Sequence, residues 1–499
     1  MLNFFPKKKY TLALVFINAI WFVFFSVQFQ HNYQRTSGFL FAEGGETSTY
    51  FQPLENLIDS KGYSWTTSQN RFGDFAAVPS TRRMPGIGAV YLPLRLALSE
   101  VTALDALISV QWTFHIIAWI LLVGAISSYF EEGSPKIIWS LVLLSSVSTF
   151  DKVFNNIGLA ESLSNSSLIV AFSLLVFYFL KNRSNLLFFA GIFAAWSVFL
   201  RPATGIFWAL CCIALFIPQI LKKELFNGVK TTFLYSLPLL IFLTLWSLRN
   251  YDQTGEVVIL EDDIFESMPA KYTPVRKSIR TVILKNGERY EHWLDGSFGQ
   301  FIYSSGESEK QVNEFMWNEE SSALMIEMKN LYIESTLTEN RDQITALDNK
   351  SKLLMDEILS KMKKERPFHY YILNPLSHLR DLVHKKFYSY LPFPELSQMS
   401  IFQKGIKVWE ALFHYLLVLS FISLVVLKRK STSNPILFLT IAFPSTYLIT
   451  MSIFFGAAEP RYLVSIYPFL IISLFFLIWT KELNFRNHEY KPHEKKNSA

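Results

Sequence analysis

The chain has 499 residues, of which 51% are hydrophobic and only 18% charged, and its formal net charge is +6. Soluble domains carry about 25% charged residues, so this composition excludes an ordinary soluble protein and predicts an integral membrane protein. No basic tract is long enough to indicate nucleic acid as a partner. The two cysteines, Cys211 and Cys212, are adjacent inside an apolar run, which is typical of packing residues and not of a disulfide framework or a metal site.

Apolar runs long enough to cross a hydrocarbon core of roughly 30 Å recur along the chain. The first run follows three lysines and has no small-residue cleavage site after it, which indicates an uncleaved span and not a removed signal peptide. The predicted spans are residues 10–29, 106–128, 136–150, 159–180, 186–200, 203–221, 231–248, 406–427, 435–456 and 462–480. We therefore expect a mainly α, polytopic membrane protein with about ten transmembrane helices.

The basic residues predict the orientation, because Lys and Arg favour the cytoplasmic side of a membrane. With both termini inside, every short basic loop falls on that side. These loops contain Lys136, Lys181, Arg183, Lys222, Lys223, Lys230 and Lys428–Lys430. Residues 85–99 contain Arg95 and are too short to span, so we expect a helix along the outer surface, with Leu and Tyr side chains facing lipid.

This orientation divides the chain into six parts. They are the N-terminal tail with the first span (1–29), a first outer loop (30–105), spans two to seven (106–248), a second outer region (249–405), spans eight to ten (406–480) and a cytoplasmic tail (481–499). In the second outer region, the turn Asn286-Gly287 between two β-prone runs predicts a hairpin over 279–294. Residues 307–366 lack Gly and Pro and predict one or two long helices, so we expect this region to be mixed α/β.

The notable charged residues gather at the expected outer ends of the spans, and the span interiors are nearly free of charge. These residues are Glu46, Asp151, Glu161, Arg201, Arg249, Glu459 and Arg461. A transporter carries its charges inside the spans, so the pattern favours an active site at the outer interface. Arginines suit the phosphate of a membrane lipid, and a carboxylate suits deprotonation of an incoming hydroxyl.

A series of short motifs resembles those of the GT-C glycosyltransferases, in particular the bacterial family 39 group of protein O-mannosyltransferases and aminoarabinose transferases. The first-loop motif is Gly45-Glu46…Tyr50, then Gly62-Tyr63, then Arg83-x-Pro85-Gly86. The later motifs are LAESL around Glu161, LRPA at 200–203, RNY at 249–251 before Gly255, and RYLVSIYP at 461–468. Together they cover most of 10–250 and 406–480.

The resemblance implies inverting transfer of a sugar from a polyprenyl-phosphate donor to a lipid, glycan or protein acceptor, at the outer face of a bacterial cytoplasmic (inner) membrane. It gives Glu46 the role of the base, with Glu43 as the fallback, and makes Glu161 a second acid or a metal ligand. The residues that would bind the substrate phosphate are Tyr50, Arg83, Arg201, Arg249, Arg461 and Tyr462. A divalent cation held by the acids, Mg²⁺ or Mn²⁺, is the alternative source of positive charge.

Each assignment also has a structural alternative. Glu46 would suit the first turn of a surface helix, where acids are favoured, with Glu55 and Asp59 on the solvated face of that helix. Glu161 would suit a cap on its span, Asp151 a solvated place at the interface, and the arginines would suit snorkelling span ends. Because Glu46 stands where the family usually carries Asp, an inactive scaffold or partner subunit is a second functional hypothesis. A transporter or flippase of lipid-linked glycans is a third.

Overall fold

The computed structural model describes residues 5–32, 45–66, 77–81, 83–130, 135–255, 257–260, 274–286, 316–338, 340–384, 391–428, 434–455 and 460–479. Over these ranges the chain is nearly all helical. In chain order the helices are α1 (Lys8–Asn32), α2 (Gly45–Ile58), α3 (Gly88–Ala97), α4 (Glu100–Tyr129), α5 (Pro135–Val147), α6 (Phe150–Val153), α7 (Glu161–Lys181), α8 (Ser184–Leu200), α9 (Gly205–Leu221), α10 (Leu225–Thr254), α11 (Pro274–Lys285), α12 (Glu319–Leu337), α13 (Arg341–Glu365), α14 (Asn374–His384), α15 (Ile401–Lys428), α16 (Pro435–Thr450) and α17 (Tyr467–Ile478).

Short segments of other geometry join these helices. The tighter 3₁₀ turns are Pro85–Ile87, Phe154–Asn156, Pro202–Thr204 and Pro460–Ser465, and wider π turns cover His369–Leu373 and Met451–Phe455. In the first loop, strands β1 (Ser64–Thr66) and β2 (Ala77–Pro79) pair antiparallel, with Trp65 opposite Val78.

Each of the ten predicted spans coincides with an apolar helix. Seven of these helices are long and apolar enough to cross a membrane, and α5 with residues 150–156 makes an eighth candidate that is bent by 54°. The remaining two, α8 and α17, are apolar but have only 17 and 12 residues. Apolar helices of this length are typical of membrane spans, because a hydrocarbon core of roughly 30 Å needs about 20 apolar residues to cross it. The chain is therefore a multi-pass membrane protein.

Helix α7 forms the centre of the bundle. In its apolar window 83% of the residues are buried, whereas the corresponding share for α1 is 22%. Helix α7 packs against α4 and α8, and α8 packs against α10. The contact between α8 and α10 is close at Gly191, where an added Cβ would lie 2.1 Å from the backbone oxygen of Tyr235. This glycine therefore allows the two backbones to approach each other.

The predicted helices of the first loop are present, but two predictions about their side chains are wrong. Glu55 on α2 is not simply solvated, because it accepts a hydrogen bond from the Tyr91 hydroxyl (2.5 Å) and forms an ion pair with Arg95 (3.0 Å) on α3. Tyr91 does not face lipid either, since it is buried and its ring packs against Phe51. Burial and the bond to Glu55 raise the pKa of the Tyr91 hydroxyl. The leucine prediction holds for Leu96, which is 76% exposed.

The segment between α10 and α15 corrects the hairpin prediction. Its first expected strand is the second half of α11, whose buried residues Val275, Ile279 and Val282 follow helical spacing and pack against α12 and α13. The second expected strand, from Gly287, lies outside the described residues. The long helices are confirmed as α12 and α13. The described part of this segment contains no strand, so its mixed α/β character is not confirmed.

Candidate functional site

Three segments that are distant in sequence meet at one end of the bundle, which we call the site end. Glu161 is the first residue of α7, Arg201 follows the last residue of α8, and Arg461 lies in the 3₁₀ turn before α17. Pro202 disfavours helical geometry at the residue before it, and Arg201 is accordingly extended, with φ −149° and ψ 103°. The local sequence therefore ends α8 directly before Arg201, whose guanidinium belongs to the site.

The three side chains form a buried charged group. Glu161 Oε1 lies 3.3 Å from Arg201 Nη1 and 4.0 Å from Arg461 Nε. The exposed fractions of Glu161, Arg201 and Arg461 are 3%, 7% and 6%. Among the described side chains, two guanidinium groups therefore face one carboxylate away from water. Planar guanidinium groups pair well with carboxylate and phosphate oxygens, so this arrangement is suited to receive an anion.

Tyrosines line the same group. The ring of Tyr462 lies 5.1 Å from Arg201 Cζ and 5.5 Å from Arg461 Cζ. Tyr50 of α2 and Tyr447 of α16 also lie close enough to Arg201 to interact with its charge. Tyr50 and Tyr462 were predicted from the sequence, but Tyr447 was not; the signal for it was a phenol inside an otherwise apolar span.

Arg83 joins the first loop to this group through Tyr50. Its guanidinium lies 4.7 Å from the centre of the Tyr50 ring, and its Nε donates a hydrogen bond to Thr49 Oγ1 at 3.2 Å. The glycine of the same motif is also explained, because a Cβ on Gly86 would lie 2.5 Å from Phe199 O near the end of α8. Trp196 donates to the Gly86 carbonyl at 2.9 Å. The Arg-x-Pro-Gly segment therefore fastens the first loop beside Arg201.

Arg249 lies in a different environment. Its Nη1 and Nη2 donate to the backbone oxygens of Ser80 (2.9 Å) and Tyr63 (2.5 Å), and its guanidinium lies 5.3 Å from the Trp246 ring centre. The structure does not bring Arg249 into the Glu161 group. Tyr63 in turn donates to the Arg83 carbonyl at 2.8 Å, so Arg249 holds the two-stranded sheet that supports Arg83.

Glu46 lies in the first turn of α2, one helical turn before Tyr50. Residues four apart share a helix face and are separated by about 6 Å along the axis, so α2 aligns the Glu46 backbone with Tyr50, which neighbours Arg201 and Arg83. The side chain of Glu46 lies outside the described part of the structure, as do Glu43 and Glu459. The position in a first turn agrees with both the catalytic and the helix-terminal interpretation of Glu46.

The prediction that Asp151 is solvated is wrong. Asp151 is fully buried, together with His115, Lys152 and Glu410. We call these four residues the buried polar cluster. The cluster was not predicted from the sequence because, apart from the adjacent Asp151 and Lys152, its members come from distant parts of the chain; the contact between Thr149 and Glu410 joins positions 261 apart.

The side chains around Glu161 are mainly hydrogen-bond donors, namely guanidinium and phenol groups, and donors of this type fit an anion better than a cation. Within the described ranges, no group of three or more His, Cys, Asp or Glu side chains is arranged to hold a metal ion. Comparison with protein-family models, with curated proteins and with solved structures gives no match for this chain.

Proposed function

We propose that the chain is a GT-C type glycosyltransferase that transfers a sugar from a polyprenyl-phosphate donor to an acceptor at the outer face of a bacterial cytoplasmic membrane. The observation that carries this proposal is the buried group of two arginines and one glutamate at the site end. Its two guanidinium groups suit a phosphate, and its place at the end of an apolar bundle suits a phosphate with a hydrocarbon tail. A lipid-linked phosphate combines both properties.

In the proposed reaction, Arg201 and Arg461 pair with the donor phosphate, and Glu161 holds both guanidinium groups in place. A planar guanidinium can pair with two phosphate oxygens at once. Neutralisation of the phosphate makes it a better leaving group as the glycosidic bond breaks. Tyr50 and Tyr462 are the proposed uncharged contacts of the same phosphate.

Glu46 is the proposed base. It takes the proton from the acceptor hydroxyl as the acceptor oxygen bonds to the anomeric carbon, and the phosphate leaves with the bonding electron pair. A single displacement of this kind inverts the anomeric configuration. The acceptor is a lipid, glycan or protein, and the segment between α10 and α15 is proposed to contact it. A divalent cation, Mg²⁺ or Mn²⁺, could add positive charge at the phosphate.

The experiment that tests the base is transfer from a radiolabelled polyprenyl-phosphate sugar by the purified Glu46→Gln variant. The amide keeps the size of the side chain but cannot take a proton, so we expect at least a 100-fold loss of transfer, as is typical for a lost general base. Asp59→Asn is the matched control, because Asp59 is an exposed acid just beyond the same helix. Unchanged transfer by Glu46→Gln would remove Glu46 as the base.

The two other functions make different predictions in the same assay. An inactive scaffold or partner subunit gives no transfer even with the unmodified protein and a panel of donors. A transporter or flippase also gives none, but it moves a fluorescent lipid-linked glycan across proteoliposomes. The buried polar cluster favours this third function more than the sequence did, because transporters place charged residues inside their spans.

A further inference from the structure

The buried polar cluster lies in the interior of the bundle, where α5 and α6 are bent against each other by 54°. His115 belongs to α4, Asp151 and Lys152 to α6, and Glu410 to α15, and all four are 0% exposed. His115 is about 22 Å along α4 from its first residue, Glu100. Neither the proposed phosphate site nor the proposed base uses these residues.

Lys152 is held by the end of α5. Its ammonium group donates to the backbone oxygens of Ser145 and Ser148, both at 2.6 Å, and lies 3.8 Å from Asp151 Oδ1. The last four carbonyl groups of a helix lack partners within the helix, and a cation there is favoured by the helix dipole. Lys152 thus donates two hydrogen bonds at the end of α5 and forms an ion pair with Asp151.

Glu410 is held entirely by donors. Its Oε2 accepts from the Thr149 backbone N–H at 3.1 Å and from the Thr149 hydroxyl, and its Oε1 accepts from the Tyr467 hydroxyl at 3.0 Å. A carboxylate whose two oxygens both accept hydrogen bonds is stabilised in its charged form. The Thr149 backbone N–H can only donate, so Glu410 Oε2 is an acceptor in this arrangement.

Asp151 and His115 differ from the other two residues. Asp151 Oδ1 accepts from the Ser148 hydroxyl at 2.6 Å, but Asp151 Oδ2 and both ring nitrogens of His115 make no hydrogen bond to any residue in the described ranges. His115 Nε2 faces Asp151 Oδ2 at 3.7 Å. Asp151 Oδ2 and His115 Nε2 thus face each other, and neither atom makes a hydrogen bond within the described ranges.

The formal charges of the cluster do not balance. Two carboxylates and one ammonium leave one negative charge, in an interior where an unpaired charge is strongly unfavourable. We propose that the cluster is a proton-binding site that takes up one proton between His115 Nε2 and Asp151 Oδ2. The proton lies there as an imidazolium beside a carboxylate or as a carboxylic acid beside a neutral imidazole, and both forms bring the cluster to zero net charge.

The elements packed around the pair supply the other titratable groups. They are Lys152 on α6, Glu410 and His414 on α15, and Tyr467 on α17. His414 is turned away from the pair, because its Nε2 pairs with the Val383 carbonyl at 2.8 Å and its ring stacks on Tyr467. Lys152 and Glu410 are thus the charged groups that, together with the pair, determine the net charge of the cluster.

The proton site is connected to the site end on two sides. Ser162, the neighbour of Glu161, donates to Asn155 Oδ1 at 2.5 Å, directly after the turn that carries Asp151. Tyr467, which bonds to Glu410, follows the 3₁₀ turn that contains Arg461. Loss of the proton would therefore loosen the supports of both Glu161 and Arg461, whichever anion they bind.

The test is the pH dependence of unfolding for the full chain in mixed micelles, followed by circular dichroism. A native state that holds one proton more than the unfolded state loses stability as pH rises, with a tenfold fall in the folding equilibrium constant per pH unit. We expect this one-proton slope in the wild-type chain between about pH 7 and about pH 8, above the unfolded pKa values of His and Asp and below that of Cys.

Three variants test the charge count. Glu410→Gln and Asp151→Asn each leave one carboxylate opposite Lys152, so both should lose the one-proton slope. The double variant Lys152→Met/Glu410→Gln again leaves one unbalanced carboxylate, so it should recover the slope, and Glu395→Gln, an exposed acid before α15, should keep it. Equal slopes in the wild type and in whichever carboxamide variant folds would overturn the proposal, as would a flat profile for the wild-type chain.

Discussion

Arg201 and Arg249 carry the same side chain and both belong to the proposed phosphate-binding set, yet their contacts separate them. Arg201 faces Glu161 and three tyrosines, whereas Arg249 donates to two backbone oxygens of the first loop. The chemistry of a single residue does not distinguish a ligand-binding guanidinium from one that supports a loop. The partners of the guanidinium distinguish the two roles, and those partners come from residues far away in the sequence.

These different partners predict different effects of the same substitution. Arg201→Lys removes the planar pairing with phosphate, so we expect the Kd for a radiolabelled polyprenyl phosphate to rise about tenfold or more, which corresponds to about 1.4 kcal/mol. Arg249→Lys leaves one buried carbonyl with a poorer partner, so the free energy of unfolding should fall by about 1–3 kcal/mol while the Kd changes little. An equal rise in Kd for both variants would contradict this division of roles.

At the scale of the elements, the sequence predicted well what depends on local pattern. All ten apolar helices and the two long helices α12 and α13 were foreseen, because apolar length and helix-forming composition are properties of a short window. The hairpin failed because the strong turn signal at Asn286-Gly287 was given more weight than the helical spacing of Val275, Ile279 and Val282. The buried polar cluster could not be foreseen, since its charges are paired only by the packing of α4, α6 and α15.

The packing of two elements gives a prediction that does not depend on function. A methyl group on Gly191 of α8 would meet the Tyr235 backbone of α10, which cannot move without shifting the helix. We therefore expect Gly191→Ala to lower the free energy of unfolding by about 1–3 kcal/mol, the usual cost of overpacking. The matched control is Gly405→Ala in α15, where nothing lies within 4 Å of the added carbon.

That control should instead be neutral or stabilising by about 0.5–1 kcal/mol, because alanine has less conformational freedom to lose in a helix than glycine. Both variants are measured by equilibrium unfolding in micelles. Equal effects at positions 191 and 405 would show that the contact between α8 and α10 has room for a methyl group at position 191.

At the scale of the whole molecule, the site end and the segment between α10 and α15 lie together. Lys285 at the end of α11 donates to Ile453 O at 2.6 Å, and α14 packs beside the same π turn and the 3₁₀ turn that contains Arg461. Burial and the nearby Lys363 lower the pKa of Lys285. The segment is therefore anchored next to the Glu161 group, as a region that contacts an acceptor would need to be. The charge bias of the short loops at the opposite end predicts that this segment lies on the outer side of the membrane.

This orientation can be tested with two variants that each introduce one further cysteine. Ala346→Cys lies on an exposed face of α13, and Glu224→Cys lies in the exposed turn between α9 and α10. Cys211 is buried and Cys212 is half-buried within apolar α9, so the wild-type chain provides a low background for a membrane-impermeant maleimide. Because Lys222, Lys223 and Lys230 favour the cytoplasmic side, we expect the reagent to label position 346 in intact spheroplasts and position 224 only after permeabilisation. The opposite pattern would place Glu161, Arg201 and Arg461 on the cytoplasmic side, where a donor of cytoplasmic origin would be needed and the proposed transfer at the outer face would fail.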